Sequence, residues 1–207
     1  MIKIIKKVVE PLDANCYTII DDETKDCLII DPGADFSSVF NLATVKNLSV
    51  KGVLLTHGHF DHAASGYLAR ENEIKVYISE GDAYMLSSRD NLASMFGLSY
   101  PFYAADETFG NGELQFGSIK VKTILTPGHT KGSACFIIDD KLFSGDTLFK
   151  DDFGNYNFPT GSLADLKNSL KNVLFKLDGD YVVYTGHGDK TTLNAERKNN
   201  YINEYQD

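Results

Sequence analysis

β-rich runs at about 2–9, 16–21 and 27–31 are separated by the turn-forming stretches Pro11-Leu12-Asp13-Ala14-Asn15 and Asp21-Asp22-Glu23, which predicts an N-terminal antiparallel meander. After Asp31-Pro32-Gly33 the period changes. Phe36, Val39, Phe40, Leu42 and Ala43 fall at helical spacing within 35–47 and lead into an apolar strand, Lys51 to Thr56. A short helix at 63–72 and a strand at 75–78 repeat the alternation. Residues 80–105 hold Met85, Met95, Phe96, Tyr100, Phe102 and Tyr103 with little periodicity, and no element is assigned there. Strand patterns return at 113–116, 119–125, 133–139 and 141–144, joined by Asn-Gly and Asp-Asp turns. Ser162 then opens a helix with Leu163, Leu166, Leu170, Val173, Leu174 and Leu177 on one stripe, and Asp165 sits three residues after Ser162 as in a capping box. A strand at 181–185 and a polar helix near 194–205 complete the chain. Strands followed by helices in each half, with no linker between, predict one α/β domain over 1–207 with sheets packed together and helices outside.

Composition narrows the function classes. The 207 residues are 43% hydrophobic and 24% charged, which is ordinary for a folded chain and too apolar for disorder. The formal net charge of −9 disfavours nucleic acid as a partner, because phosphate recognition wants a basic surface. No apolar run approaches the roughly 18 residues of a membrane span, so no membrane partner is expected. The start, Met1 to Lys7, alternates charged and apolar residues and reads as a strand, not a signal peptide, which makes the cytoplasm the expected location. Cys16, Cys27 and Cys135 are odd in number, widely spaced and set among β-type residues, the pattern of buried core thiols.

The candidate chemistry lies in the histidines. Four of the five stand in Thr56-His57-Gly58-His59-Phe60-Asp61-His62 and Thr126-Pro127-Gly128-His129-Thr130, and the fifth in Gly186-His187-Gly188. On a helix, positions 57, 59, 61 and 62 would scatter around the circumference; on a strand, 62 would oppose the other three. The segment is therefore expected to be a turn after the strand ending at Thr56, with Gly58 supplying backbone freedom. Imidazoles and carboxylates without neighbouring Cys suit Zn²⁺ or another borderline divalent ion. His57, His59, Asp61, His62, His129 and His187 are more donors than one tetrahedral ion needs, so two ions are implied.

With these motifs the chain resembles the metallo-β-lactamase superfamily, in particular its small glyoxalase II-like hydrolases. The resemblance extends over Ile30-Asp31-Pro32-Gly33, the His-x-His-x-Asp-His segment, Pro127 to Thr130, Phe143-Ser144-Gly145-Asp146-Thr147-Leu148-Phe149 and Gly186-His187-Gly188, in the family's order. It implies an αββα sandwich of two mixed sheets with the metals at one edge. It also implies His57, His59 and His129 on one ion, Asp61, His62 and His187 on the other, and Asp146 bridging. Asp31 resembles a buried carboxylate that orients a ligand, and Thr56, Thr130 and Thr147 are candidates for hydrogen-bonding support. The implied activity is hydrolysis of an ester-like carbonyl, a thioester first, by water activated between two divalent ions, zinc first and iron or manganese as options. Asp61 is the candidate catalytic residue.

Departures from the family touch the substrate. Glyoxalase II enzymes carry an additional C-terminal helical region with basic groups for glutathione. Here few residues follow His187, and Arg197 and Lys198 read as a solvated helix face. Asn155 and Asn157 stand where relatives often have a charged pair, and Lys131 stands where Pro is frequent. Phe60, Phe149, Tyr156 and Phe158 are candidates for lining a pocket for a small thioester or ester substrate. Alternatives are a lactonase or phosphodiesterase of the same superfamily, a mono-iron persulfide dioxygenase-like oxidoreductase and a non-enzymatic metal-binding domain. β-Lactams rank lower as substrates, because related enzymes that cleave them commonly carry Cys where Asp146 stands. The sequence leaves the oligomeric state open.

Overall fold

The structure, a computed structural model, describes residues 1–205. Twelve strands form two six-stranded mixed sheets among the described residues. The first runs in chain order from β1 (Ile2–Val9) through β2 (Ala14–Asp21), β3 (Asp26–Ile30), β4 (Ser49–Leu54) and β5 (Val76–Ser79) to β6 (Glu107–Phe109). β1 to β3 pair antiparallel, as the meander predicts, and β3 to β6 pair parallel. The second sheet runs from β7 (Gly112–Phe116) through β8 (Ile119–Leu125), β9 (Ala134–Ile138), β10 (Lys141–Gly145) and β11 (Val182–Thr185) to β12 (Thr191–Thr192), with only β10 and β11 parallel.

The central strands read as nearly unbroken apolar runs because both of their faces are buried. In β2 and β3, Tyr17, Ile19, Leu28 and Ile30 face the second sheet, where they meet Val121, Phe136, Ile138 and Phe143. The alternate residues Cys16, Ile20, Cys27 and Ile29 face outward against Phe36 and Val39 of α1 (Phe36–Val45). β9 divides the same way, with Phe136 inward and Cys135 and Ile137 outward under Leu166 and Leu170. The layers are therefore helix, sheet, sheet, helix. All three cysteines are buried free thiols.

The helices differ in detail from the pattern's prediction. The helix expected over 63–72 is two pieces, α2 (Phe60–Ala63) and α3 (Gly66–Glu71). Ser65 divides them: its N–H and its hydroxyl both donate to the Gly33 carbonyl, at 2.8 and 2.6 Å, and that hydroxyl accepts from Phe36 N–H at 3.0 Å. Ser162 does cap the next helix, α4 (Leu163–Asn168), accepting from Asp165 N–H at 3.2 Å, but the α-helix ends at Asn168. A π-turn over Ser169–Val173 and a 3-10 turn over Leu174–Lys176 follow. Leu166, Leu170 and Leu174 recur every four residues, and the wider turn offsets the drift that this spacing has on an α-helix. The predicted helix at 194–205 is α5 (Leu193–Asn199) and a 3-10 turn over Tyr201–Glu204, divided at Asn200, whose side chain accepts from Ile202 N–H. Residues 80–105 form three 3-10 turns, and β6 and β12 were not predicted.

The carboxyl ends of β3, β4, β8, β10 and β11 gather at one edge of the sandwich. There the sheets close on each other: Ala134 N–H donates to the Thr56 carbonyl at 2.9 Å, and Asn15 N–H donates to the Gly186 carbonyl at 2.7 Å.

Candidate metal centre

All seven side chains named from the sequence meet at this edge. His57 and His59 follow β4, His129 lies between β8 and β9, Asp146 follows β10, and His187 follows β11. The 57–62 segment is a turn only as far as His59. Asp61 and His62 sit on the one-turn helix α2, with His59 at its N-cap. Gly58 does not use a left-handed backbone; what it provides is room, since a side chain there would meet Met85 Cβ at 2.6 Å. The ligand atoms form three overlapping groups, each within 4.8 Å: His57, His59 and His129; His57, His62 and Asp146; Asp61, His62 and His187.

Three imidazoles have their outer nitrogen engaged with oxygen. His62 Nδ1 lies 2.9 Å from Asp31 Oδ2, and His129 Nδ1 lies 2.6 Å from the Asn155 carbonyl. His57 Nδ1 lies 3.0 Å from Thr56 Oγ1, whose own proton goes to Asp31 Oδ2 at 2.6 Å. Each contact assigns the proton to Nδ1 and turns the Nε2 lone pair into the cluster. The inner atoms then face one another with too few protons to share. His59 Nδ1 is 2.9 Å from His129 Nε2, and His62 Nε2 is 3.3 Å from His187 Nε2. Buried His57 Nε2 and Asp146 Oδ1 have no hydrogen-bond partner among the described residues, although Asp146 Oδ1 is only 3.3 Å from His62 Nε2. Buried polar atoms are rarely left so, and a divalent cation satisfies this donor set of imidazole and carboxylate.

Electrostatics agree. Burial drives the His57 pKa well below its ordinary value and holds His59 at about 3, so both are neutral and ready to donate lone pairs. Burial opposes a charge on His62 as well, yet Asp146, Asp61 and Asp31 outweigh it and pull His62 well above the usual value, so that without an ion its Nε2 holds a proton that a bound cation would displace. Asp146 is shifted the other way: burial opposes its ionisation, but His62 and His187 hold its pKa well below the carboxylate range. The cluster thus favours positive charge at its centre.

The sequence pattern that defines the metallo-beta-lactamase superfamily matches residues 9–187. The chain belongs to the metallo-β-lactamase superfamily. It is 33% identical over 193 residues to the hydroxyacylglutathione hydrolase GloC of Haemophilus influenzae, covering 90% of this chain and 91% of that protein. Among solved structures it is similar to the BLEG-1 B3 metallo-beta-lactamase, with a TM-score of 0.90 and 28% identity over 97% of this chain and 99% of that one. TTHA1623, solved in a di-iron-bound form, gives a TM-score of 0.84 and 29% identity over 96% of this chain and 99% of that one.

The two mixed sheets with outer helices are the superfamily's αββα sandwich. Phe60, Phe149 and Phe158 line a cavity of about 210 Å³ over the cluster, together with Leu12, Leu92 and Phe96. Tyr156 does not; its ring stacks on Phe153, 6.4 Å away, in the core beneath α4. Asn155 also lines this cavity; its contact to His129 is made by the backbone carbonyl, and its Oδ1 accepts from Asn157 N–H at 2.9 Å. Of the three threonines, Thr56 supports His57 directly. Thr147 instead bonds Thr126, and Thr130 bonds Asp82. Arg197 is not a solvated face: its guanidinium donates to the carbonyls of Phe175, Leu177 and Gly179, closing the end of the α4 segment. Asp82 and Leu92 were missed because they lie in the stretch without periodicity. Leu92 is buried with a left-handed backbone, φ 69°, a strained conformation of the kind that concentrates at functional sites.

Proposed function

We propose that this chain is a dinuclear metal-dependent hydrolase of ester-like carbonyls, with S-acyl thiols as its first substrate class. The observation that carries the reading is the pair of face-to-face imidazole contacts, His59 with His129 and His62 with His187, flanked by Asp61 and Asp146 under an apolar-walled cavity. His57, His59 and His129 would hold one divalent ion, Asp61, His62 and His187 the other, and Asp146 would face both. Ions held there supply a Lewis acid for the carbonyl oxygen and make water acidic enough to attack near neutral pH. Asp61 lines the cavity, with Oδ2 3.2 Å from His187 Nε2, and is placed to accept a hydrogen bond from the attacking water and orient it. Phe60, Phe96, Phe149 and Phe158 exclude bulk water and pack the acyl portion. Covalent catalysis by a thiol has no candidate among the described residues, because all three cysteines are buried in the sandwich.

The name of the Haemophilus relative supports a thioester, and nitrogen and oxygen donors without thiolate suit zinc first, with iron or manganese compatible. The fold shared with a B3 metallo-beta-lactamase returns β-lactams to the substrate panel. Metal analysis of protein purified without added metal, followed by assays on S-acyl thiols, lactones, bis-p-nitrophenyl phosphate and nitrocefin, tests the reading, with oxygen consumption measured on a persulfide. The expected result is two metals per chain and the highest kcat/KM on an S-acyl thiol. Undiminished turnover after exhaustive chelation would overturn it.

A further inference from the structure

Asp82 is fully buried, three residues beyond β5, and belongs to none of the groups described above. It ties together the two loops that carry His57, His59 and His129. Asp82 Oδ2 accepts from Gly58 N–H at 3.0 Å, between the first two histidines, and from the Thr130 hydroxyl at 2.6 Å, beside the third. Asp82 Oδ1 accepts from Gly132 N–H at 2.7 Å. Gly132 leaves room for this contact, since a side chain there would meet Asp82 Oδ1 at 2.6 Å. On the other side of the same segment, Asp31 accepts from Thr56 N–H at 2.8 Å and from His62 Nδ1. The segment therefore runs between two buried carboxylates: Asp31 holds His62 directly and His57 through the Thr56 hydroxyl, and Asp82 joins the loop of His57 and His59 to the loop of His129.

We infer that Asp82 is a positioning residue for the half-site of His57, His59 and His129, fixing the separation of their two loops, a task that the bonds of Asp31 to His62 and Thr56 do not perform. This inference rests on the metal-binding reading and concerns how that centre is divided. All of Asp82's hydrogen-bond donors are neutral. A buried carboxylate with neutral donors alone is costly to hold, and positive charge bound in the adjoining cluster offsets that cost. In Asp82→Asn an amide N–H₂ must replace one carboxylate oxygen and point at either Gly132 N–H or the Gly58 and Thr130 donors. The loops then move apart. Thr130→Val removes one of the three bonds at similar volume and serves as the milder variant should Asp82→Asn fail to fold.

Zinc and cobalt(II) titrations against a competing chelator measure the two affinities in the full chain, with cobalt absorption reporting each site's geometry. His59→Ala marks which equivalent belongs to the half-site in question. The expected result is an affinity loss of roughly 10- to 100-fold, the range for residues that orient metal ligands, confined to that equivalent and accompanied by a change in its cobalt spectrum. The other equivalent stays within about twofold of wild type. Equal weakening of both equivalents, which general loosening of the fold would produce, overturns the inference, as does wild-type affinity in both variants. Failure of the wild-type chain to bind any metal overturns the metal-binding reading itself, and the two failures are distinct in the same titration.

Discussion

Nitrogen lone pairs in the cluster are aimed by oxygen atoms outside it. Asp31, Thr56 and the Asn155 carbonyl each hold the outer nitrogen of a histidine, so the inner nitrogens are fixed before any ion arrives. Asp146 differs in being held mainly by charge, 3.3 Å from His62 Nε2, 3.5 Å from His187 Nε2 and 3.6 Å from His129 Nε2. Asp146→Asn keeps the shape and removes that charge. Its expected effect is fewer than two metals per chain and a fall in kcat of at least about a hundredfold, the upper end of what losing even a supporting partner costs. Metal analysis and steady-state assays on the same preparation check both. The thiols give a second prediction at this scale. Burial raises Cys16 beyond the ordinary thiol range, Cys27 to about 12 and Cys135 to about 11. Only the thiolate reacts, so a disulfide reagent in mildly alkaline buffer should label none of the three rapidly in the native protein and all three in denaturant. Rapid labelling of the folded chain would contradict their placement in the core.

Elements were legible where one rule dominated. All strands but β6 and β12 were placed to within two residues or so because β-type runs end at turn residues, and Ser162 announced its helix through a cap that the structure contains. Breaks within helices were not legible. The end of α2 is set by Ser65 reaching Gly33, and the π-turn by the need to keep Leu166, Leu170 and Leu174 against β9, both contacts with residues distant in sequence. Asp82 was invisible for the same reason: nothing local distinguishes it, and its role lies in Gly58 and Thr130. The clustering of His57, His59, Asp61 and His62 was legible because their spacing fits neither a helix nor a strand, whereas Asp146 was implied only by the resemblance to the family. Arg197 tests the account of the helix ends. It lies on α5 but bonds carbonyls at the close of the α4 segment, so Arg197→Ala should leave those acceptors short of donors and destabilise the fold by about 1.5–3 kcal/mol, the range for hydrogen bonds to charged groups. Urea denaturation measures this, and kcat/KM should be unchanged because Arg197 does not line the cavity over the cluster.

At the scale of the molecule, the cluster occupies the edge where the two sheets meet. His57, His59, Asp61 and His62 come from the first sheet's connections, and His129, Asp146 and His187 from the second's. Binding of ions there joins the two layers at a place where, without them, Asp61, Asp146 and Asp31 crowd around His62. An unfolded chain cannot gather these seven side chains, so metal binding stabilises the native state alone. The gain is RT ln(1 + [M]/Kd) per site, roughly 2.7 kcal/mol at a free metal concentration a hundred times Kd. The urea midpoint should therefore rise with added zinc and fall on chelation, with the slope of the transition nearly unchanged because the surface exposed on unfolding is nearly the same. Apart from this shift, the apo protein should keep its far-ultraviolet circular dichroism, since the inter-sheet core of Tyr17, Leu28, Phe136 and Phe143 is complete without the ions. Loss of secondary structure on chelation would instead mean that the sandwich depends on its metals to fold, and that the sheets' shared core alone is insufficient.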